Sequence, residues 1–372
     1  MKSESGRSRK ARPLSRTTRK KLMQQPIRVL VVDDSAFLRK VVSQMLARSP
    51  LIEVVATARD GEEALELVEK HRPDVVTLDL MMPGMDGVGF LREQMRRRPV
   101  PVVVCSIAHD SGELALGALD AGAVDFVQKP TALATEKVFE IADELVAKVT
   151  AAAGARMSRV ESGAGPVAAS APPASAARRA AGGAADLVVI GISTGGPQAL
   201  RHVIPQLPAD FPVPVAMVLH MPVGYTEMYA RRLDDISPLA VVEAREGDVV
   251  RAGTAFLAPA GRHLTFVRDG EGSVRVHLDV HPLDTPHRPA VDVLFRSAAE
   301  LYGGRVLGVV MTGMGQDGLL GAAHVKAQGG RIITEAESSC VVYGMPRVVD
   351  EASLSDRSVP LERMAASILE MV

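Results

Sequence analysis

At 372 residues, 47% of them hydrophobic, the chain is too long for one ordinary core and rich enough in apolar side chains to fill two. A formal net charge of −1 gives no reason to expect nucleic acid or an anionic membrane as a partner, and two cysteines, Cys105 and Cys340, do not make a disulfide framework. No apolar run approaches membrane length and no signal peptide opens the sequence, so the expectation is a soluble, cytoplasmic protein without membrane insertion.

Residues 1–26 are polar and basic, with Lys2, Arg7, Arg9, Lys10, Arg12, Arg16, Arg19, Lys20 and Lys21 against Glu4 alone. Without apolar periodicity they read as a disordered basic tail. Such an arm could touch nucleic acid or an acidic partner, but a solvated extension is the favoured reading.

From residue 27 short apolar runs (27–32, 53–58, 74–78, 101–105 and 124–127) alternate with amphipathic stretches. The pattern predicts a doubly wound (βα)5 parallel sheet for residues 27–149, with functional groups at the carboxyl ends of the strands. Asp33 and Asp34 end the first run, Asp79 the third, Ser106 the fourth and Lys129 the fifth. Taken singly, each acid reads equally well as a strand-end or helix-cap carboxylate. Converging carboxylates repel one another, and an all-oxygen set calls for a hard divalent cation, for which Mg²⁺ is the natural choice. A lysine and a hydroxyl beside them suit the oxygens of a phosphoryl group carried by one carboxylate.

This half resembles the response-regulator receiver family in Val-Val-Asp33-Asp34-Ser, in Leu78-Asp79-Leu-Met-Met-Pro83-Gly-Met-Asp-Gly87, in Ser106 and in Ala-Gly122-Ala-Val-Asp-Phe126-Val-Gln-Lys129-Pro130. The resemblance implies Asp79 as acceptor of phosphate from a sensor histidine kinase. It implies Asp33, Asp34, Asp79 and the Met81 carbonyl as holders of Mg²⁺, Ser106 and Lys129 as sensors of the phosphate, and Phe126 as the aromatic switch.

A last helical stretch is expected near 133–149. Residues 150–185 are then dominated by Ala, Gly, Ser and Pro, cannot bury enough surface to offset their ordering entropy, and read as a flexible linker.

For residues 186–372, runs at 187–190, 215–219, 255–258, 264–267, 305–311 and 331–334 predict a second, Rossmann-like parallel α/β domain. The first run leads into Gly191-Ile192-Ser193-Thr194-Gly195, a match to G-x-S-x-G, in which glycines let the chain turn sharply and lift a serine hydroxyl to the sheet edge. A serine helix cap or a phosphate loop is the competing reading of that stretch alone. A nucleophilic serine needs a base and a group that orients it. His220 ends the second run, and Asp317 lies in the glycine-rich loop after the run 305–311. His263, His281 and His287 compete for the base role, and His281 with His287, Asp284 and Asp292 could be read as metal ligands. Irregular spacing and Pro282, Pro286 and Pro289 disfavour that reading.

The order Ser, His, Asp differs from that of the α/β-hydrolases. The segment instead resembles the catalytic domain of the chemotaxis protein-glutamate methylesterase (CheB) family. The motifs are Ile190-Gly-Ile-Ser193-Thr-Gly-Gly-Pro197, His220-Met-Pro222, Ala258-Pro-Ala-Gly-Arg-His263, His287-Arg-Pro-Ala-Val-Asp292-Val-Leu-Phe295, Met311-Thr-Gly-Met-Gly-Gln-Asp317-Gly318 and Cys340-Val-Val-Tyr-Gly-Met-Pro346. It implies a Ser193/His220/Asp317 triad, help at the oxyanion from Thr194 and the Met314 N–H, and no cofactor for the ester chemistry. The implied reactions are demethylation of glutamate methyl esters and deamidation of glutamines on methyl-accepting chemotaxis receptors, under phosphorylation control.

Overall fold

A computed structural model describes residues 25–106, 112–129, 137–155 and 185–372. The basic tail through residue 24, Pro130, the expected helix start near residue 133 and positions 156–184 of the expected linker lie outside the described residues.

In the first half, strands β1 (Ile27–Val32), β2 (Ile52–Ala58), β3 (Val75–Leu78), β4 (Val102–Ser106) and β5 (Asp125–Gln128) form a parallel sheet in the order β2-β1-β3-β4-β5. β3 and β4 are buried along their whole length, as continuous aliphatic runs must be when helices cover both faces. The helices are α1 (Ala36–Leu46), α2 (Gly61–His71), α3 (Gly87–Arg97), α4 (Gly112–Asp120) and α5 (Lys137–Ala153). Side chains set the first three starts: Ser35, Asp60 and Asp86 accept from the N–H groups of Leu38, Glu63 and Gly89 at 3.4, 2.8 and 2.7 Å. α5 continues past the boundary expected at residue 149, because Val149 and Ala152 both pack into the core beneath β1 and β4.

The second half contains β6 (Leu187–Ile192), α6 (Gly196–Val203), β7 (Val215–Leu219), α7 (Thr226–Asp234), β8 (Ala240–Glu243), β9 (Thr254–Leu257), β10 (His263–Arg268), β11 (Val274–Asp279), α8 (Val291–Tyr302), β12 (Val306–Val310), α9 (Leu319–Ala327), β13 (Arg331–Glu335), α10 (Met345–Glu351), β14 (Arg357–Val359) and α11 (Leu361–Leu369). Seven strands pair in parallel as β14-β13-β12-β6-β7-β9-β8. The run at 264–267 belongs not to this sheet but to an antiparallel hairpin, β10 with β11. β8, β11 and β14 lie outside the strands expected from sequence. β8 and β14 are short edge strands and β11 carries Arg275, His277 and Asp279, so none presents the continuous apolar run that marks a central strand.

The two halves pack on each other. One buried apolar cluster includes Leu116, Leu119 and Phe126 from the first half and Tyr225, Tyr229 and Leu233 from the second.

Candidate active site and receiver pocket

Strand register assembles the second-half site. Parallel pairing places Ile192 beside Leu219 and Gly191 beside Val310, so Ser193, His220 and the loop after β12 leave the sheet at one edge. The backbone ties them together: His220 N–H donates to the Ile192 carbonyl at 3.2 Å and Ser193 N–H to the Thr312 carbonyl at 3.0 Å. Helix α6 starts from Gly195, at φ +80°, without a side-chain cap, so Ser193 does not serve as the helix cap of the competing reading. The loop after β12 comes so close that a Cβ on Gly313 would lie 2.8 Å from the Ser193 Cβ.

His220 Nε2 and Asp317 Oδ2 are 2.8 Å apart. Since the carboxylate accepts, Nε2 carries the proton, which leaves Nδ1 as the acceptor of the neutral ring. That nitrogen is buried and has no hydrogen-bond partner among the described residues. Asp317 also accepts from the N–H groups of Val291 at 2.8 Å and Asp292 at 2.9 Å, at the N-terminus of α8. Burial alone would raise its pKa, but His220 and these amides outweigh it and hold the carboxyl below its ordinary range. Asp292 in turn accepts from Gly318 and Gly321 at the start of α9, and buried Glu335 accepts from the Thr312 N–H, fixing both ends of the loop that carries Asp317.

The rival histidines are used otherwise. His263 is fully buried, accepts the Ala290 N–H at Nδ1 and lies 3.2 Å from the Pro282 carbonyl, so it braces the loop. His281 pairs with Asp279, Asp292 caps α9, and His287 stacks on His220 with ring centroids 4.1 Å apart and planes 26° apart. The metal set of the competing reading therefore does not assemble. Burial of its inner face, then its neighbour His220, pushes the pKa of His287 down to about 4.

Ser193, Thr194, His220, His287 and Met314 line a cleft of about 500 Å³, and Lys148 of α5 closes its far wall. The sequence reading missed how tightly the first half holds this cleft. The Thr194 hydroxyl, expected near the oxyanion, donates instead to Asp125 Oδ2 of β5 at 2.6 Å, while Asp125 Oδ1 takes the Lys148 ammonium at 3.0 Å. Gly195 N–H donates to the Val124 carbonyl at 3.2 Å, and Gln198 Nε2 to the carbonyls of Leu119 at 3.2 Å and Ala123 at 2.9 Å. Arg201 and Arg232 both meet Asp120, and Arg232 also meets Glu113. Asp125 stands in the motif quoted for Phe126, but no sequence signal reveals its reach across the interface.

At the edge of the first sheet, one carboxylate oxygen from each of Asp33, Asp34 and Asp79 falls within 4.8 Å of the others. Lys129 Nζ lies 2.7 Å from both Asp33 Oδ2 and Asp79 Oδ2. Burial would pull the ammonium pKa down, yet the two carboxylates win and raise it. Three carboxylates against one ammonium leave excess negative charge on an all-oxygen donor set, which suits a hard divalent cation. Buried Ser106 ends β4, and its carbonyl accepts the Lys129 N–H at 2.7 Å; Met81 follows two residues after Asp79. Buried Phe126 packs on Tyr225 of the second half, ring centroids 4.7 Å apart.

An α/β half that gathers acids at its sheet edge, docked on a second α/β half that gathers serine, histidine and aspartate, defines a response regulator with an enzymatic output domain. Comparison with known proteins is specific. The CheB methylesterase family model matches residues 188–368 and the response regulator receiver domain model residues 29–138. The crystal structure of the Thermotoga maritima CheB methylesterase catalytic domain is 42% identical, with a TM-score of 0.49, over 51% of this chain and 100% of its own. Protein-glutamate methylesterase/protein-glutamine glutaminase 5 of Myxococcus xanthus (strain DK1622) is 53% identical over 92% of this chain and 97% of its own length. The protein-glutamate methylesterase/protein-glutamine glutaminase of Symbiobacterium thermophilum is 49% identical over 94% and 98%. On these near full-length relatives, the chain belongs to the CheB family of receiver-linked methylesterases.

Proposed function

We propose that the chain is a phosphorylation-activated serine hydrolase that demethylates glutamate methyl esters, and deamidates glutamines, on the helices of methyl-accepting chemotaxis receptors in the cytoplasm. The observation that carries it is the His220–Asp317 pair, which leaves a buried, unpartnered Nδ1 in the cleft that Ser193 lines. Ser193 Oγ attacks the γ-carbonyl, and its proton passes to His220 Nδ1. Asp317 keeps the opposite nitrogen protonated and supports the imidazolium. The N–H of Met314 and, once freed, Thr194 serve the oxyanion. His220 then protonates the departing methoxide, and water, deprotonated by the same nitrogen, releases free glutamate. A glutamine loses ammonia through the same acyl-enzyme, so one site serves both reactions. No helix among the described residues is long and apolar enough to cross a membrane.

Control rests with the receiver, which runs from residue 27 to the end of α5 at Ala153, joined through the linker to the catalytic domain, 186–372. A chemotaxis sensor histidine kinase supplies the phosphoryl group to Asp79. Asp33, Asp34, Asp79 and the Met81 carbonyl would hold Mg²⁺, which when bound neutralises the charge gathered there during transfer. Lys129 and Ser106 then contact the phosphate, and Phe126 responds. β5 carries Asp125 and Phe126 and leads directly to Lys129, so a pull at one end reaches the Thr194 latch at the other. Phosphorylation shifts a docked population towards an open one, by no more than the difference in contact energy between them.

The test is methanol release from a methylated receptor fragment, with and without a small phosphodonor and Mg²⁺. Release that rises with the donor and is lost in Ser193→Ala supports the reading; a Ser193→Ala protein that keeps its activity overturns it.

A further inference from the structure

His287 lies flat against the ring of His220 and makes no hydrogen bond among the described residues. A structural histidine of this fold looks different: His263 is fully buried and bonded through both nitrogens. His287 instead keeps an exposed outer edge, sits on the loop that forms one cleft wall, and covers the one catalytic ring that must hold a defined orientation. The geometry points to His287 as a positioning residue for the ester hydrolysis, a flat lid on His220 that holds Nε2 on Asp317 and Nδ1 toward Ser193 and faces the imidazolium with an aromatic surface. This rests on the serine-hydrolase reading given above.

The Asp317 bond fixes one nitrogen of His220 but not rotation about the line of that bond. A ring stacked at 4.1 Å removes that freedom and keeps water off one face while the ring is charged. The support is electrostatic as well. An uncharged aromatic face attracts a cation, whereas a second cation there would oppose proton transfer. The charged and titratable groups around His287 are His220 beneath it, Asp317 behind His220, Arg288 beside it on its own loop, and Lys148, Asp143 and Glu144 of α5, which line the same cleft. Burial and the neighbouring His220 keep His287 uncharged at neutral pH.

The experiment compares wild type, Ser193→Ala, His287→Ala and His287→Phe, each full-length and activated by phosphodonor, with kcat and KM measured separately. His287→Ala should lose roughly 10- to 100-fold in kcat with KM unchanged, the scale expected when a catalytic group is misplaced by about 1 Å. His287→Phe, which keeps the flat aromatic cover but not the nitrogens, should recover most of that loss. A His287→Ala loss confined to KM, or a His287→Phe variant no better than His287→Ala, overturns the assignment. If the alanine variant unfolds, the kcat of His287→Phe decides alone. Should His287→Ala match wild type while Ser193→Ala is inactive, this inference fails and the serine mechanism stands; activity in Ser193→Ala removes the mechanism itself.

Discussion

Both sites sit at the carboxyl edge of a parallel sheet, yet they handle charge in opposite ways. At the receiver edge Asp33, Asp34 and Asp79 crowd against one ammonium, Lys129, and negative charge is left over. At the other edge Asp317 is met by a neutral imidazole and two backbone amides, so its charge is held by hydrogen-bond donors of the fold. The first arrangement suits a hard cation and a phosphoryl group, and the second suits a nucleophilic serine. The same topology thus serves a switch in one half and a hydrolase in the other, because the residues that end the strands differ. The halves meet through packing, with Asp125 and Phe126 of the receiver lying directly on Thr194 and Tyr225.

The comparison breaks first at Asp317. Asp317→Asn should lower kcat for methanol release by about 10⁴-fold, since the amide cannot hold Nε2–H and support the imidazolium. Phosphodonor labelling of Asp79 in the same variant should match wild type, and a parallel loss of labelling would show that the two edges are not independent. Asp125→Ala should act the other way. Removing the acceptor of the Thr194 hydroxyl should raise activity without phosphodonor by roughly 10-fold, the factor that about 1.4 kcal/mol of lost docking represents, and leave the activated rate nearly unchanged. A fall in both rates would mean that Asp125 supports the catalytic fold rather than restraining it.

The smallest expected effect is on stability. The fold favours the ionised form of Asp317, so the stability it contributes is present above its unfolded value near 3.8 and is lost as pH falls through the lower folded value. The thermal midpoint gap between wild type and Asp317→Asn should therefore be widest near neutrality and narrow below about pH 4. A gap that widens on acidification would contradict a carboxylate held ionised by the fold.

Much of the architecture was legible because buried parallel strands must be continuous aliphatic runs. Ile27–Val32, Val75–Leu78, Leu187–Ile192 and Val215–Leu219 announce themselves, and the polar residue that follows each falls at the sheet edge. Ser193 and His220 were legible for that reason, whereas Asp317 stood out only through the glycine-rich loop that follows β12. The hairpin partner β11 and the edge strands β8 and β14 were not, because half-exposed strands carry mixed side chains.

By itself the sequence determined two α/β halves, an acidic edge in one and a serine, histidine and aspartate at the strand ends of the other, since local hydrophobic pattern and strand-end position carry that information. Only the tertiary structure decided which nitrogen of His220 meets Asp317, which histidine stacks on it, and that Thr194 is held by Asp125 from 69 residues away. These are contacts between segments remote in the chain. Their partners are chosen by how the two sheets and their loops pack, and no periodicity within either segment encodes that choice.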